Sequence, residues 1–172
     1  MQNKRGQEIL GMSFGTMISI FLIIVIISVG FFVIRHFLSL NNCTQIGMFF
    51  DDFQDEVDRA WTSGRYIDTF EGKLPQTGIF KTGLTHVCLG DVNMTVTNAE
   101  DEPIRREIYS SYRGEANLFL YPKESACDGD LFSYTLKHVV PTQFFCVEIK
   151  KGIASFKLEK GDRDSLVTIS EN

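Results

Sequence analysis

Hydrophobic residues dominate the beginning of the chain. Residues 9–34 include no charged side chain, and their few polar members are hydroxyl residues: Ser13, Thr16, Ser19 and Ser28. At about 1.5 Å per residue, a helix over this run would be about 39 Å long, more than a hydrocarbon core of about 30 Å. A helix satisfies its own backbone polar groups in lipid, and such hydroxyls can hydrogen-bond to helix carbonyls. The pattern therefore predicts a membrane-spanning helix.

A second periodic segment follows. Hydrophobic residues recur at steps of three and four between positions 43 and 63: Ile46, Phe49, Phe50, Phe53, Val57, Ala60 and Trp61. Acidic residues fall mostly on the opposite face: Asp51, Asp52, Asp55, Glu56 and Asp58. This predicts an amphipathic helix ended by Ser63-Gly64, with a kink or break at Asn41-Asn42. The acidic residues scatter around the helix, which favours a solvated face over a calcium site.

The middle of the chain is β-like after a loop through Pro75. We predict strands over residues 83–89, 93–97 and 117–121, the last of which stops at Pro122. Residues 104–112, after Pro103, favour a short helix, and residues 127–130 favour a turn.

The end of the chain has the clearest strand pattern. Residues 144–150 and 153–158 predict a hairpin across Lys151-Gly152, and a turn at 160–163 leads to a strand over 165–170. Three successive antiparallel strands would result, with Ala154, Phe156 and Leu158 on the buried face.

These elements predict an α+β fold. A long N-terminal helix, first transmembrane and then amphipathic, packs on a mainly antiparallel β-sheet head. The predicted boundaries are a cytoplasmic basic leader (1–6), a transmembrane helix (7–40) and an extracytoplasmic α+β domain (41–172). Within that domain the amphipathic helix covers about 43–63 and the β-rich part about 79–170.

The charges beside the apolar run predict its orientation. Lys4 and Arg5 precede it and Arg35 follows it, which gives a slight bias towards a cytoplasmic N-terminus and an outside head. A cleaved secretory signal peptide is excluded, because the run is too long and has no small-residue cleavage step.

Four cysteines follow the apolar run: Cys43, Cys88, Cys127 and Cys146. An even count outside the membrane predicts two disulfides, with three pairings open. Free thiols or a metal site that includes His86 are the alternatives, although no Cys-x-x-Cys pair is present. Asn42-Cys43-Thr44 and Asn93-Met94-Thr95 are glycosylation triplets, with Asn42 and Asn93 as candidate acceptors.

Composition argues against several functions. The net charge of −5 would become −7 without residues 1–6, which remove Lys4 and Arg5, and this disfavours nucleic-acid binding. A Gly-x-Ser-x-Gly match, residues 11–15, lies inside the lipid run rather than at a strand-to-helix turn. His86 and His138 are isolated and are expected to be strand residues. We expect no enzyme, cofactor or metal, and a membrane-tethered hydrolase is the weakest hypothesis.

The junction before the apolar run carries a family resemblance. Lys4-Arg5-Gly6, followed by Gln7-Glu8 and the apolar run, resembles the class III signal peptide of archaeal type IV pilins and archaellins. The resemblance implies cleavage after Gly6 by a prepilin-type peptidase, with Gln7 as the first mature residue. Bacterial-type pilins usually have Glu at the fifth mature position. Gly11 occupies that position here, which is closer to archaellins.

The resemblance further implies a non-enzymatic subunit of the cytoplasmic membrane whose helix leaves the bilayer and packs into a surface filament. Its partners would be the lipid bilayer, copies of itself or other pilin-like subunits. Gly11 and Gly15 form a Gly-x-x-x-Gly step, which lets helix backbones approach closely. The alternative is an uncleaved single-pass membrane protein whose extracytoplasmic domain binds a partner or ligand.

Overall fold

The computed structural model describes residues 5–75, 83–140 and 143–172. The chain divides into two compact units, residues 1–41 and residues 42–172. The described elements are two α-helices, seven strands and three short 3-10 helices: α1 (Arg5–Thr62), β1 (Tyr66–Lys73), β2 (His86–Leu89), α2 (Glu102–Ser111), β3 (Leu118–Tyr121), β4 (Ser133–Tyr134), β5 (Phe145–Glu148), β6 (Ile153–Lys160) and β7 (Thr168–Glu171), with 3-10 turns at Ala99–Asp101, Lys123–Ser125 and Cys127–Gly129. The fold is α+β, as predicted.

The first unit consists of the first part of α1. The helical assignment continues through Asn41 and Asn42, so the predicted break at these two residues is wrong. Asn costs a helix only a few tenths of a kcal/mol, and neither Pro nor Gly stands beside this pair.

The part of α1 in the second unit, residues 42–62, is amphipathic as predicted. Its buried face comprises the hydrophobic residues expected from the periodicity except the last: Ile46, Phe49, Phe50, Phe53, Val57 and Ala60. Trp61 is 40% exposed and lies at the edge of this face. Asp51, Asp52 and Asp55 are exposed, which agrees with a solvated acidic face.

Two antiparallel sheets pack beside this helical segment. The first has the strand order β1-β6-β7 and the second β4-β3-β2-β5. Phe53 joins the helix to the first sheet, because its ring stacks on Phe70 of β1 and on Phe156 of β6. Phe50 stacks on Tyr134 of β4 and joins the helix to the second sheet. The core is therefore rich in aromatic pairs, which add stabilisation beyond area burial.

Gly72 allows β1 to lie close to α1. A Cβ at this position would come within 2.2 Å of the Phe49 ring. Any other residue would push the strand away from the helix, since core side chains are close-packed.

The predicted C-terminal hairpin is wrong beyond its turn. Lys150 and Ile153 exchange both backbone hydrogen bonds across Lys151-Gly152, whose positive φ values of 54° and 76° suit a two-residue hairpin turn. The strands then diverge, because β5 pairs with β2 and β6 pairs with β1 over eight residues. The third strand, β7, does pair with β6. Strands that are distant in the sequence thus take the place of the predicted pairing between β5 and β6.

Two further strand predictions need correction. Residues 66–73 form β1, where the sequence predicted a loop, and β1 is an edge strand with mostly exposed side chains. Residues 93–97, predicted as a strand, hold a turn and one bridge between Val96 and Phe144. Asp91 accounts for the turn, because its Oδ1 accepts a hydrogen bond from the Asn93 backbone N–H.

Other local predictions are confirmed. The helix after Pro103 is α2, with Ile104 and Ile108 buried. The strand before Pro122 is β3, and residues 127–130 form a tight turn. On β6 the predicted inward face is fully buried: Ala154, Phe156 and Leu158.

Candidate membrane anchor and head surface

The first unit exposes a long apolar surface. Large hydrophobic side chains along residues 17–37 of α1, and at Leu40, are exposed around the whole helix, among them Ile20, Leu22 and Phe32. Among the described residues, α1 is the one helix long and apolar enough to cross a membrane. A helix that is hydrophobic on all sides requires an apolar surrounding, which a bilayer or neighbouring helices supply.

Hydroxyl groups within this segment are satisfied internally. Ser19 Oγ donates to the Gly15 carbonyl at 3.0 Å, and Ser28 Oγ donates to the Ile24 carbonyl at 2.7 Å. Both bonds connect residues four apart. The segment therefore presents no unbonded serine hydroxyl at these two positions, as the sequence predicted.

The predicted processing residues lie at the edge of the described chain. Lys4 is outside the described residues, while Arg5, Gly6 and Gln7 are described only as backbone at the start of α1. Of the predicted packing glycines, Gly11 is likewise described as helical backbone only. A Cβ at Gly15 would meet no atom within 4 Å, so this position lies open for a neighbouring helix.

The four cysteines form two disulfides. Cys43 of α1 is bonded to Cys127, and Cys88 of β2 is bonded to Cys146 of β5. The second bond joins residues that face each other directly in the strand register. The first fastens the beginning of the head segment of α1 to the turn after β3. Neither bond leaves a thiol for a metal, since the described residues include no free cysteine.

The head has an open cleft where β5 and β6 diverge. A cavity of about 800 Å³ lies there, and four carboxylate residues contribute to its lining: Glu100, Asp101, Glu148 and Glu171. Asp101 is buried, and its Oδ2 accepts the backbone N–H of Cys146 at 3.1 Å. His86 and Lys150 also line the cavity. We call this region the β5–β6 cleft. The sequence gives no signal for this cleft, because its lining residues lie as far apart in the chain as His86 and Asn172.

The two histidines of the head have separate surroundings. His86 begins β2, as predicted, and its Nδ1 lies 2.9 Å from the Thr85 hydroxyl. His138 is not a strand residue, because it has a positive φ of 64° in the loop before residue 139. The structure therefore does not combine the two histidines in one site.

His138 instead packs against the end of α1. Its ring stacks on Trp61 with centroids 3.8 Å apart, and its Nδ1 lies 3.0 Å from Asp58 Oδ1. Trp61 Nε1 donates to the Ser165 carbonyl at 3.1 Å. This cluster joins three distant parts of the head: the end of α1, the loop at His138 and the backbone at Ser165.

On α2, Glu102 pairs with both Arg105 and Arg106. Hydrogen bonds from Arg105, and then from Arg106, lower the pKa of Glu102 to about 2. Arg105 also donates to the Val92 carbonyl at 2.7 Å, so it ties α2 to the turn after β2. Elsewhere, burial and then the hydrogen bond to Glu56 raise the pKa of Tyr66 to about 12.

The two glycosylation triplets differ in placement. Asn42 is a half-buried residue of α1, whereas Asn93 is exposed in the turn between β2 and α2. Among the described residues, no group of three His, Cys, Asp or Glu side chains is arranged to hold a metal ion.

Comparisons with protein-family models, curated proteins and solved structures give no match for this chain.

Proposed function

We propose that this protein is a non-enzymatic, membrane-anchored pilin-like subunit that assembles through its N-terminal helix. The observation that carries the proposal is that the two parts of α1 have different surfaces. Its first part exposes apolar side chains on all sides, while residues 46–60 bury one face in the core of the head. One helix thus supplies both an apolar assembly surface and a structural element of the globular domain.

The location proposed is the cytoplasmic membrane, with the N-terminus inside and the head outside. Lys4 and Arg5 on one side of the apolar run support this orientation. The two disulfides of the head also support it, because disulfides persist in oxidising surroundings outside the cytosol.

Cleavage between Gly6 and Gln7 would release the basic leader and leave the helix in place. Removing Lys4 and Arg5 would free the helix from two charges that hold its end at the membrane surface. Gly15, open on the helix surface, would then allow close contact with a neighbouring copy.

Intact mass of the protein from native membranes tests the processing step. We expect a mass that lacks residues 1–6, and we expect Gly6→Val to retain them and to prevent filament assembly. Gly47→Val is the matched control, because an added Cβ at Gly47 meets no atom within 4 Å. Filaments formed by uncleaved Gly6→Val protein would contradict the proposal.

The β5–β6 cleft favours a second candidate function. A cavity of about 800 Å³ with four carboxylates suits a binding domain on an uncleaved single-pass anchor. A native mass that retains Lys4, together with the absence of filaments, would favour this candidate over the subunit.

A further inference from the structure

The chain contains two Asn-x-Thr triplets in contrasting surroundings. Asn93, Met94 and Thr95 all have exposed side chains in the turn that follows β2. Asn42 and Cys43 are half-buried residues of α1, followed by Thr44 in the same helix. Because N-glycosylation adds a bulky polar group to the side-chain amide, the surroundings of each Asn decide whether it can be modified.

We infer that Asn93 carries an N-linked glycan and that Asn42 does not. The inference rests on the proposed outside location of the head. The co-reactant is a saccharide linked to a lipid phosphate, which a membrane transferase would present. A bond forms between Asn93 Nδ2 and the anomeric carbon, and the bond from that carbon to the phosphate oxygen breaks. The lipid phosphate leaves with the electron pair, and Nδ2 gives one proton to a base of the transferase.

The turn at Asn93 is held by its backbone while its side chains face outward. Asp91 Oδ1 accepts from both the backbone N–H and Nδ2 of Asn93, each at 2.8 Å. The Met94 N–H donates to the Asp91 carbonyl at 3.0 Å, and the Phe144 N–H donates to the Thr95 carbonyl at 3.2 Å. These bonds fix the loop without covering the amide. One of the two Nδ2 hydrogens engages Asp91, which leaves the second without an acceptor among the described residues.

The side chains around Asn93 also leave room for a glycan. Met94 is 40% exposed, and the neighbouring Thr97 and Asn98 are exposed too. A glycan here would extend into solvent and would displace no buried contact. Loops of this kind, on a rigid scaffold, are where modifying enzymes reach a folded protein.

The surroundings of Asn42 oppose modification. Its backbone is part of the α1 hydrogen-bond ladder, and the next residue, Cys43, is covalently bonded to Cys127. Presenting Asn42 as an accessible loop would require unwinding the helix and moving the turn at Cys127. An unwound turn would lose several backbone hydrogen bonds of the helix.

Peptide mapping of the full chain from its native membranes tests the inference. After reduction and alkylation of the two disulfides, trypsin would release residues 36–59 with Asn42 and residues 82–105 with Asn93, so the two sites separate cleanly. We expect a saccharide mass on the 82–105 peptide and an unmodified 36–59 peptide. Asn93→Gln and Thr95→Ala should each remove the whole added mass, whereas Thr95→Ser should retain it. Asn42→Gln should leave the added mass unchanged.

Labelling of intact cells with a membrane-impermeant amine reagent separates this inference from the proposed location. If the head lysines are labelled on intact cells but Asn93 carries no saccharide, the glycan inference is wrong and the outside location is supported. Head lysines that react only after lysis would overturn both. A glycan on the 36–59 peptide would also contradict the inference. Unchanged thermal melting of the Thr95→Ala and Thr95→Ser variants would show that the difference in mass reflects the triplet and not the fold.

Discussion

Phe53 of α1 stacks on Phe156 of β6, with ring centroids 5.0 Å apart, and on Phe70 of β1, with centroids 4.5 Å apart. One helical side chain therefore contacts two adjacent strands of the first sheet. Phe53 is fully buried. Together with Phe49, which also contacts Phe70, it joins the helix and this sheet in one core.

We expect Phe53→Ala to lower the free energy of unfolding by about 3–5 kcal/mol, because it removes buried area and leaves a cavity. Denaturant unfolding of the full chain in detergent measures this change. Met48→Ala is the control, since Met48 is exposed on the same helix, and its effect should stay within about 0.5 kcal/mol. Equal effects of both substitutions would contradict the packing.

Each disulfide closes a long loop. Sequence separations of 84 for Cys43–Cys127 and 58 for Cys88–Cys146 predict that removing either bond costs roughly 4 kcal/mol by chain-entropy arguments. The double variant Cys43→Ser/Cys127→Ser should melt at a lower temperature than the wild-type chain, as should the chain after reduction. Both bonds would be refuted if reduction left the melting temperature of the wild-type chain unchanged and the untreated chain had four titratable thiols.

A charge in the apolar span should weaken membrane anchoring. Ile24 and Ile27 are exposed near the middle of the span, and an Arg there costs about 2.5–3.5 kcal/mol at the centre of a bilayer. We expect Ile24→Arg/Ile27→Arg to appear in the soluble or degraded fraction after carbonate washing of membranes. Thr69→Arg, on the exposed edge strand β1, should stay in the pellet. Retention of the double variant would refute the anchor.

Glu102 should contribute to acid stability. Its folded pKa of about 2 lies below the ordinary value of 4.5, so the unfolded chain binds this proton first as the pH falls. The contribution of Glu102 is therefore present above about pH 4.5 and is lost between about pH 4.5 and 2. Glu102→Gln should flatten the fall in unfolding free energy over that window.

Glu115→Gln is the matched control for that experiment. Glu115 is exposed, and no described residue donates a hydrogen bond to it. A slope that changes equally in both variants would show that the Arg105 and Arg106 contacts do not act on Glu102 in particular.

The single tryptophan reports on the end of α1. Trp61 stacks on His138 at 3.8 Å, and an aromatic contact of this kind is worth about 0.5–1.5 kcal/mol. We expect His138→Ala to shift Trp61 emission to longer wavelength and to lower stability by about 1 kcal/mol. His86→Ala, at the other head histidine, should leave the emission unchanged. An unshifted spectrum of His138→Ala would contradict the stack.

The sequence predicted the elements whose partners are encoded locally. The buried face of α1 follows from the spacing of Phe49, Phe53 and Val57, because helical periodicity depends on neighbours in the chain. The turn at Lys151-Gly152 was equally local. What failed was the choice of partner for β5 and β6, since cross-strand pairing is decided by contacts far away in the sequence.

The features of the head surface could not be predicted either, because they also depend on contacts between residues far apart in the sequence. β1 lacks alternation, because it is an edge strand whose side chains are mostly exposed on both faces. Asp101 contacts Cys146 across 45 residues, and His138 contacts Asp58 across 80. No spacing in the chain signals such encounters, so the β5–β6 cleft and the Trp61 cluster emerge only in the folded protein.

The position of the Cys43–Cys127 bond has a mechanical consequence. Tension applied to the chain from the N-terminal side would reach Cys43 before it reached Phe49 or Phe53. At Cys43 the load would divide between the helix backbone and a covalent cross-link into the turn after β3. Peeling the helix away from its aromatic contacts would thus also require displacing the turn at Cys127 or breaking the sulfur–sulfur bond, so the cross-link adds resistance at the N-terminal end of the head helix.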